Sequence, residues 1–465
     1  YAKKSFWCAG DYGTISKSPP WLKARLGCSS DYPFTLFDAE DGPPNRIGLP
    51  QYRVNTASLN LILEGTLFYA KSLGSPLNMK IVYCSKPTAN GDTTIGPFGK
   101  NWRFRYESVV GRFGQDAQVI NGGGRGFSFS TPKGEDLDVV TSNVSMVAPV
   151  GIHDTLLYKY HASTPSFELT MKSSHLTYVY GGTADSIGSG DKLGLFYLSK
   201  IRDAYGSETS LTYLPSGSGL IKTITNAGRT FTLNYSSGLC SDITMADGRS
   251  VAFTYDGNKN LTDIYDMMNY HGAYVYDENG FLTSMSTAGK TTTFTYKDRP
   301  GYTAEDDAVE NLGDKYLSSL TRPGSRTTTY ELLDDGDTVR RVDPAGQATL
   351  ISNKDGLTTS VKDPLGNITT TAYNSANLPE SVTDEKGGVY KYEYDDKGNM
   401  TKKTDALSKS ITYTYDASNN CTSMVNALGK TWTYAYNGKY QPLTVTTPEG
   451  NVTTMTYDGA NGTML

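Results

Sequence analysis

Apolar and polar positions alternate in short runs along most of this chain. In the stretch 429–436, GKTWTYAY, Trp432, Tyr434 and Tyr436 share one parity, while Thr431, Thr433 and Ala435 take the other. The same parity collects Tyr390, Tyr392 and Tyr394; Ile411, Tyr413 and Tyr415; Phe231, Leu233 and Tyr235; and Val251, Phe253 and Tyr255. Period two in β-branched and aromatic residues predicts strands with one apolar face. Turn-forming residues punctuate the runs. YDENG (276–280) and YDDKGN (394–399) supply Asp, Asn and Gly at one reversal. DPAG (343–346), DPLG (363–366) and TPEG (447–450) supply Pro and Gly at another. Pro presets φ, and Gly takes the positive φ that such turns require.

These elements recur with a fixed period. Tyr373, Tyr394, Tyr415, Tyr436 and Tyr457 follow one another at steps of 21 residues, and Gly366, Gly387, Gly429 and Gly450 each stand seven before a Tyr. The phase extends back through Tyr213, Tyr235, Tyr255, Tyr276 and Tyr296 at steps of 20 to 22. A period of this size means repeated supersecondary units. Each unit reads as two antiparallel strands joined by tight turns. A lone hairpin is marginal in water, so the units must stack. Cross-strand aromatic pairs add roughly 0.2–1 kcal/mol each. A continuous exposed aromatic stripe would invite aggregation, so this face is expected to point inward. The expected inward wall comprises Tyr255, Tyr276, Tyr394, Tyr413, Tyr415, Trp432, Tyr434 and Tyr436. Tyr434→Ala would cost roughly 3–5 kcal/mol if that ring is fully buried.

YDGNKNLT (255–262), YDENGFLT (276–283), YDDKGNMT (394–401) and DPLGNITTTAYN (363–374) resemble the YD repeats of the Rhs family. VNTASLNLILEGTLFYAKSLGSPLNMKIVYCS (54–85) and GPFGKNWRFRYE (96–107) resemble the segment that leads into such repeats. The resemblance covers roughly 54–110 and 200–465. It implies a sheet of stacked antiparallel hairpins that spirals into a hollow shell. In bacterial members that shell often encloses a toxin domain; in related animal proteins it belongs to a cell-surface adhesion receptor. Many members also cut themselves at a terminal motif, of which no copy occurs here.

The expected fold is therefore all-β, in three regions. Residues 1–50 form an irregular segment in which Cys8 and Cys28 are candidates for a disulfide. Residues 51–200 form a β-rich cap for one end of the repeat sheet, as stacked architectures require. Residues 201–465 form the repeat sheet, interrupted by a loop insertion at about 299–312 with a solvated acid cluster, Glu305, Asp306, Asp307 and Glu310. Cys421 falls where other repeats carry Met400 or Leu282, and is expected as a small buried hydrophobe. The repeat is still running where the sequence stops, so further repeats are expected.

Composition narrows the function classes. The net charge of −5 and the absence of a basic excess argue against nucleic acid. No apolar run reaches the 18 residues of a membrane span. The 34 Tyr and 48 Gly are what the repeats demand. The four histidines, His153, His161, His175 and His271, accompany no GxSxG, HExxH or CxxC, so no catalytic residues are assigned. GGGRG (122–126) lies between strand-like runs and reads as a hairpin turn; a phosphate loop needs a helix after it. DDGD (334–337) and DDKGN (395–399) lack the loop length of a calcium site. No cofactor or metal is expected. The sequons at Asn143, Asn234, Asn367 and Asn451 are by-products of a Thr-rich repeat.

The favoured expectation is a non-enzymatic shell, secreted or at the cell surface, whose partner is the remainder of its own chain: further repeats and a C-terminal effector. The second is an adhesion protein recognising a surface protein or a glycan through its outer face. That face is mostly Thr, Ser and Lys, which favours the container.

Overall fold

The structure, a computed structural model, describes residues 37–39, 51–70, 77–85, 95–122, 126–162, 164–181, 194–215, 219–267, 271–299, 315–333, 335–459 and 464. Among them there is no helix. Cys8, Cys28 and nearly all of the 299–312 insertion lie outside the described residues. The strands flanking the insertion, Lys290–Asp298 and Lys315–Arg322, pair with each other, Asp298 facing Lys315.

The described part of residues 51–200 is distributed over two main sheets and a two-stranded hairpin, Ile95–Gly96 with Gly99–Lys100. The first is antiparallel, ordered Phe37–Ala39, Gln51–Asn55, Leu61–Ala70, Leu77–Cys84 and Trp102–Phe104. The second begins at Val109–Phe113 and closes into a ring. Pairing runs through Asp116–Ile120 to Gly126–Ser130, which confirms the hairpin around 122–126. A bridge from Ser130 to Val147 leads on to Thr155–Lys159, Ser166–Thr170, Thr177–Gly181 and Gly194–Arg202. Residues 194–197 of that last strand pair back onto 109–112. Residues 200–202 of the same strand instead pair with 208–210. This fork is where the ring opens into the repeat ribbon. From there each strand pairs with its predecessor and successor, as far as Val452–Thr454.

Both reversals of a repeat use one turn design. At the first, Asp395 Oδ1 accepts from the amides of Lys397 (3.0 Å) and Asn399 (2.8 Å). At the second, Asp363 Oδ1 accepts from Leu365 and Asn367, both at 2.9 Å. The carboxylate thus satisfies amides that the sheet cannot reach. These oxygens belong to the turns.

The pairing register slips immediately before each signature tyrosine, at Thr254/Tyr255, Val275/Tyr276, Glu393/Tyr394, Thr414/Tyr415 and Ala435/Tyr436 among others. A bulge bends a strand and sharpens its twist. The slip recurs at this place in most repeats, though the pairing of Arg326–Leu332 with Thr338–Val342 has none and that of Ala348–Lys354 with Leu357–Lys362 slips at Ser352/Asn353; recurring bulges of this kind bend the ribbon.

The core lies between the first sheet and the inner face of the early repeats. Phe68 meets Phe231, Phe98 meets Phe253, Trp102 meets Tyr274, and Tyr52 meets Phe294, with ring centroids 4.7 to 6.5 Å apart. Trp102 Nε1 donates to Tyr276 Oη at 2.7 Å, and the Leu282 amide donates to Tyr83 Oη at 3.0 Å. Backbone bonds join the same bodies: Cys240 N to Pro97 O, Lys100 N to Lys259 O, and Leu317 N to Leu59 O. The first sheet and the 95–100 hairpin together thus form a plug against which the early repeats pack.

This cover runs out after Leu357. In the strands from Ile368 to Thr454 no residue is fully buried. In the tyrosine-bearing strands there the alternation persists as half-buried against exposed. A consequence is measurable by urea unfolding. Tyr274 is 5% exposed, and Tyr274→Ala is expected to destabilise by ~3–5 kcal/mol. Tyr434→Ala, in the half-buried region, is expected to cost about 1–2 kcal/mol. Equal losses at the two sites would contradict the difference in cover.

Candidate functional site

The repeat tyrosines are the chemically distinctive part of the wall. In eight of them the hydroxyl donates to a carbonyl 14 or 15 residues earlier, beside the exit of a preceding turn. Tyr255 Oη bonds Cys240 O at 2.7 Å, Tyr276 bonds Leu261 O at 2.9 Å, and Tyr415 bonds Met400 O at 2.8 Å. Tyr213, Tyr235, Tyr296, Tyr373 and Tyr457 do the same. Burial pushes the hydroxyls of Tyr255 and Tyr276 well above the ordinary tyrosine range, and that of Tyr415 up to about 12. They therefore remain protonated donors. Nothing in the period of the sequence announced this bond; the Tyr-Asp spacing was its only sign.

The structure divides the eight wall residues into two groups. Tyr255 and Tyr276 pack against the core under the plug. Tyr394, Tyr413, Tyr415, Trp432, Tyr434 and Tyr436 stand at like parity on three alternate strands of the ribbon, all half-buried. Their neighbours of opposite parity, Thr412, Thr414, Thr431, Thr433 and Ala435, are exposed. Threonine hydroxyls there bond one another across strands, as in Thr254–Thr262 at 2.9 Å and Thr414–Thr422 at 3.0 Å. Cys421, expected to be buried, is half-buried and free, because its face lies beyond the plug. Cys240, under the plug, is buried and free; burial pushes its thiol up. Cys84 is disulfide-bonded.

Sequence reasoning missed a seam. The turns of the late repeats return to the rim of the ring. Gly151 N donates to Lys397 O at 3.2 Å. Lys172 Nζ donates to Ser418 O at 2.8 Å and to Asn420 Oδ1, and lies 4.2 Å from the Tyr440 ring centroid. His175 stacks on that same Tyr440 ring at 5.6 Å. Lys439 Nζ sits 3.7 Å from the Tyr205 centroid. Gly398 is needed here twice over. Its φ is +84°, and a Cβ would stand 2.6 Å from Gly151 N.

The seam's electrostatics follow from burial. Burial holds His153 below the usual imidazole range, against the opposing pull of Asp395 and Asp154. His175 is lowered by burial and by Lys172. His161 and His271 lie elsewhere, His161 beside Thr164 and His271 Nε2 2.6 Å from Asp263 Oδ1. Among the described residues no three metal-ligating side chains converge.

Two outcomes are expected from hydrogen exchange on 416–420 and 437–441. Lys172→Met and Gly398→Ala should each speed exchange there while leaving the strands under the plug unchanged. Unchanged seam exchange in both variants would contradict the contacts. Lowering the pH should also loosen the seam. A histidine whose pKa is lowered in the fold gives stability that is present above the unfolded value of about 6.5 and is lost as pH falls through it. Protection factors at the seam, corrected for the slower intrinsic exchange at lower pH, should therefore fall between pH 7.5 and pH 5.5, and less so in His175→Gln.

Residues 320–464 match the Teneurin YD-shell family model. No curated protein matches the chain in sequence. Among solved structures, the Tc holotoxin pore of Photorhabdus luminescens aligns with 93% of this chain and 27% of its own, at 11% identity and a TM-score of 0.45. The TcdB2–TccC3 complex aligns with 92% of this chain and 29% of its own, at 11% identity and a TM-score of 0.43. This chain thus spans little more than a quarter of the length of the chains it is similar to. With its periodic Tyr-Asp turns and its ribbon of stacked hairpins, the chain is similar over residues 320–464 to the Teneurin YD-shell family.

Proposed function

We propose that this chain is the amino-terminal part of a non-enzymatic container that encloses an effector domain of the same polypeptide, exported or displayed at the cell surface. The observation that carries the proposal is the change in cover along one continuous aromatic face. From Phe231 to Tyr330 that face is buried beneath the plug. From Tyr390 to Tyr436 the same face, with the same chemistry, is half-buried, and the strands there bury no residue fully among the described residues. A wall of this kind suits further protein packed within the ribbon's curl, since exposed aromatic stripes are otherwise a liability. The mechanism is steric: a wall held by strand pairing and tyrosine rungs keeps cargo from substrate and from proteases. The disulfide at Cys84 supports an oxidising compartment. No helix among the described residues is long and apolar enough to cross a membrane.

The test is the intact mass of the natural gene product, with its C-terminal peptide sequenced. A chain extending well past Leu465, or a second fragment released only on denaturation, is the expected result. A mass matching 465 residues would remove the cargo and leave the Val452–Thr454 edge as a docking surface for another protein.

A further inference from the structure

We infer that Asn437, at the head of the 437–441 turn in the seam, is a site of spontaneous deamidation, and that this modification releases one contact of the seam. Three asparagines of the ribbon, Asn374, Asn426 and Asn437, hold a turn through their side chains. At Asn374 the side-chain oxygen accepts from the amides of Ala376 and Leu378, and at Asn426 from those of Leu428 and Lys430. At Asn437 it accepts from Lys439 (2.9 Å) and Gln441 (3.0 Å). The turns are alike, but the next residue is not. Ser375 follows the first asparagine, Ala427 the second and Gly438 the third.

Deamidation needs a polarised side-chain carbonyl, an uncommitted amide nitrogen on the next residue, and room for that peptide to turn. Asn437 has all three. The two N–H groups at its Oδ1 point at the oxygen on which negative charge develops when the carbonyl is attacked. Among the described residues the Gly438 amide donates to nothing. Gly438 is exposed, and no atom lies within 4 Å of the place a Cβ would take. Lacking that Cβ, glycine also turns more freely than any other residue. Gly438 N bonds to Asn437 Cγ, the Cγ–Nδ2 bond breaks, and ammonia leaves with the proton from the Gly438 nitrogen. Water then opens the resulting succinimide. Attack at Cγ gives aspartate on the original main chain. Attack at the main-chain carbonyl carbon gives isoaspartate, whose main chain runs through the side-chain carbon. One water is consumed and one ammonia released, and nothing is oxidised or reduced.

The other described Asn-Gly pairs lack these conditions. After Asn279, the Gly280 amide is committed to Asp277 O at 3.0 Å. After Asn121, Gly122 is packed so closely that a Cβ would stand 1.9 Å from Arg105 O. The two products at 437 affect the seam differently. Aspartate already heads the seam's sister turns, at Asp395 and Asp416, with the same pair of amide bonds. An aspartate at 437 therefore keeps the turn. Isoaspartate adds a carbon to the main chain just ahead of Lys439 and Tyr440. Those two residues are the ones that meet Tyr205, Lys172 and His175. The seam thus carries one contact that age undoes. This inference stands apart from the container reading, since it needs no cargo.

The test is ageing of the full chain in mildly alkaline buffer, followed by peptide mapping that separates asparagine, aspartate and isoaspartate at each site. Asn437 should convert at least about tenfold faster than Asn121, Asn279, Asn374 and Asn426, with isoaspartate among its products. Gly438→Ala is tolerated by the turn, since φ there is not positive and a Cβ has room. It should slow conversion at Asn437 to the rate at Asn426 and leave the seam's hydrogen exchange unchanged. Exchange on 437–441 should quicken in the aged protein and stay unchanged in Asn437→Asp, which reproduces only the aspartate product. Conversion at Asn437 no faster than at Asn279 or Asn426 would overturn the assignment, as would undiminished conversion in Gly438→Ala. Aged chains that carry isoaspartate at 437 and still exchange there as slowly as fresh ones would overturn the release of the contact.

Discussion

A two-stranded hairpin with one aromatic face cannot bury that face by itself, and every repeat of this chain is such a hairpin. Stacking hairpins edge to edge satisfies the backbone but leaves the aromatic faces as one continuous sheet surface. That surface needs a second layer. In the early repeats the plug supplies it, with Phe68, Phe98 and Trp102 each seated on a repeat ring. In the late repeats the curl of the ribbon partly shelters it. The core, the half-covered wall and the proposed container all follow from where that second layer stands.

The curl has a local cause. Most repeats carry one bulge just before the tyrosine, and in eight of them the tyrosine hydroxyl reaches the exit of an earlier turn, as at Tyr415. The aspartate after the tyrosine closes the next turn on its own amides. Tyr and Asp are therefore adjacent for separate reasons: one ties a strand to its neighbour, the other ends the strand. A phenylalanine would preserve the apolar face and lose the tie. This accounts for the high tyrosine content better than burial alone, since the outer half of each ring remains partly open in the late repeats.

Function-specific features arise where the repeat meets something that is not a repeat. Lys172, His175 and Gly151 on the ring rim fix the returning ribbon through its turns. The same turns elsewhere project into solvent, as Leu365 does at 87% exposure. One turn design thus serves as a solvated reversal at one edge and as an interface at the other. The difference lies in what faces it.

The period, the strand parity and the turn chemistry were all legible in the sequence, because they are local. Alternation sets which side chains share a face, and Asp, Pro and Gly set where the chain reverses. Those residues fixed an all-β ribbon with its aromatic side marked out. The tertiary structure decided everything that depends on residues far apart. Trp102 and Tyr276 lie 174 residues apart, and Lys172 and Asn420 lie 248 apart. No period connects either pair, so neither the plug nor the seam could be read from spacing. Equal parity likewise did not mean equal burial. Tyr274 and Tyr434 occupy the same position in their repeats, and only the plug, present over one and not the other, makes one a core residue.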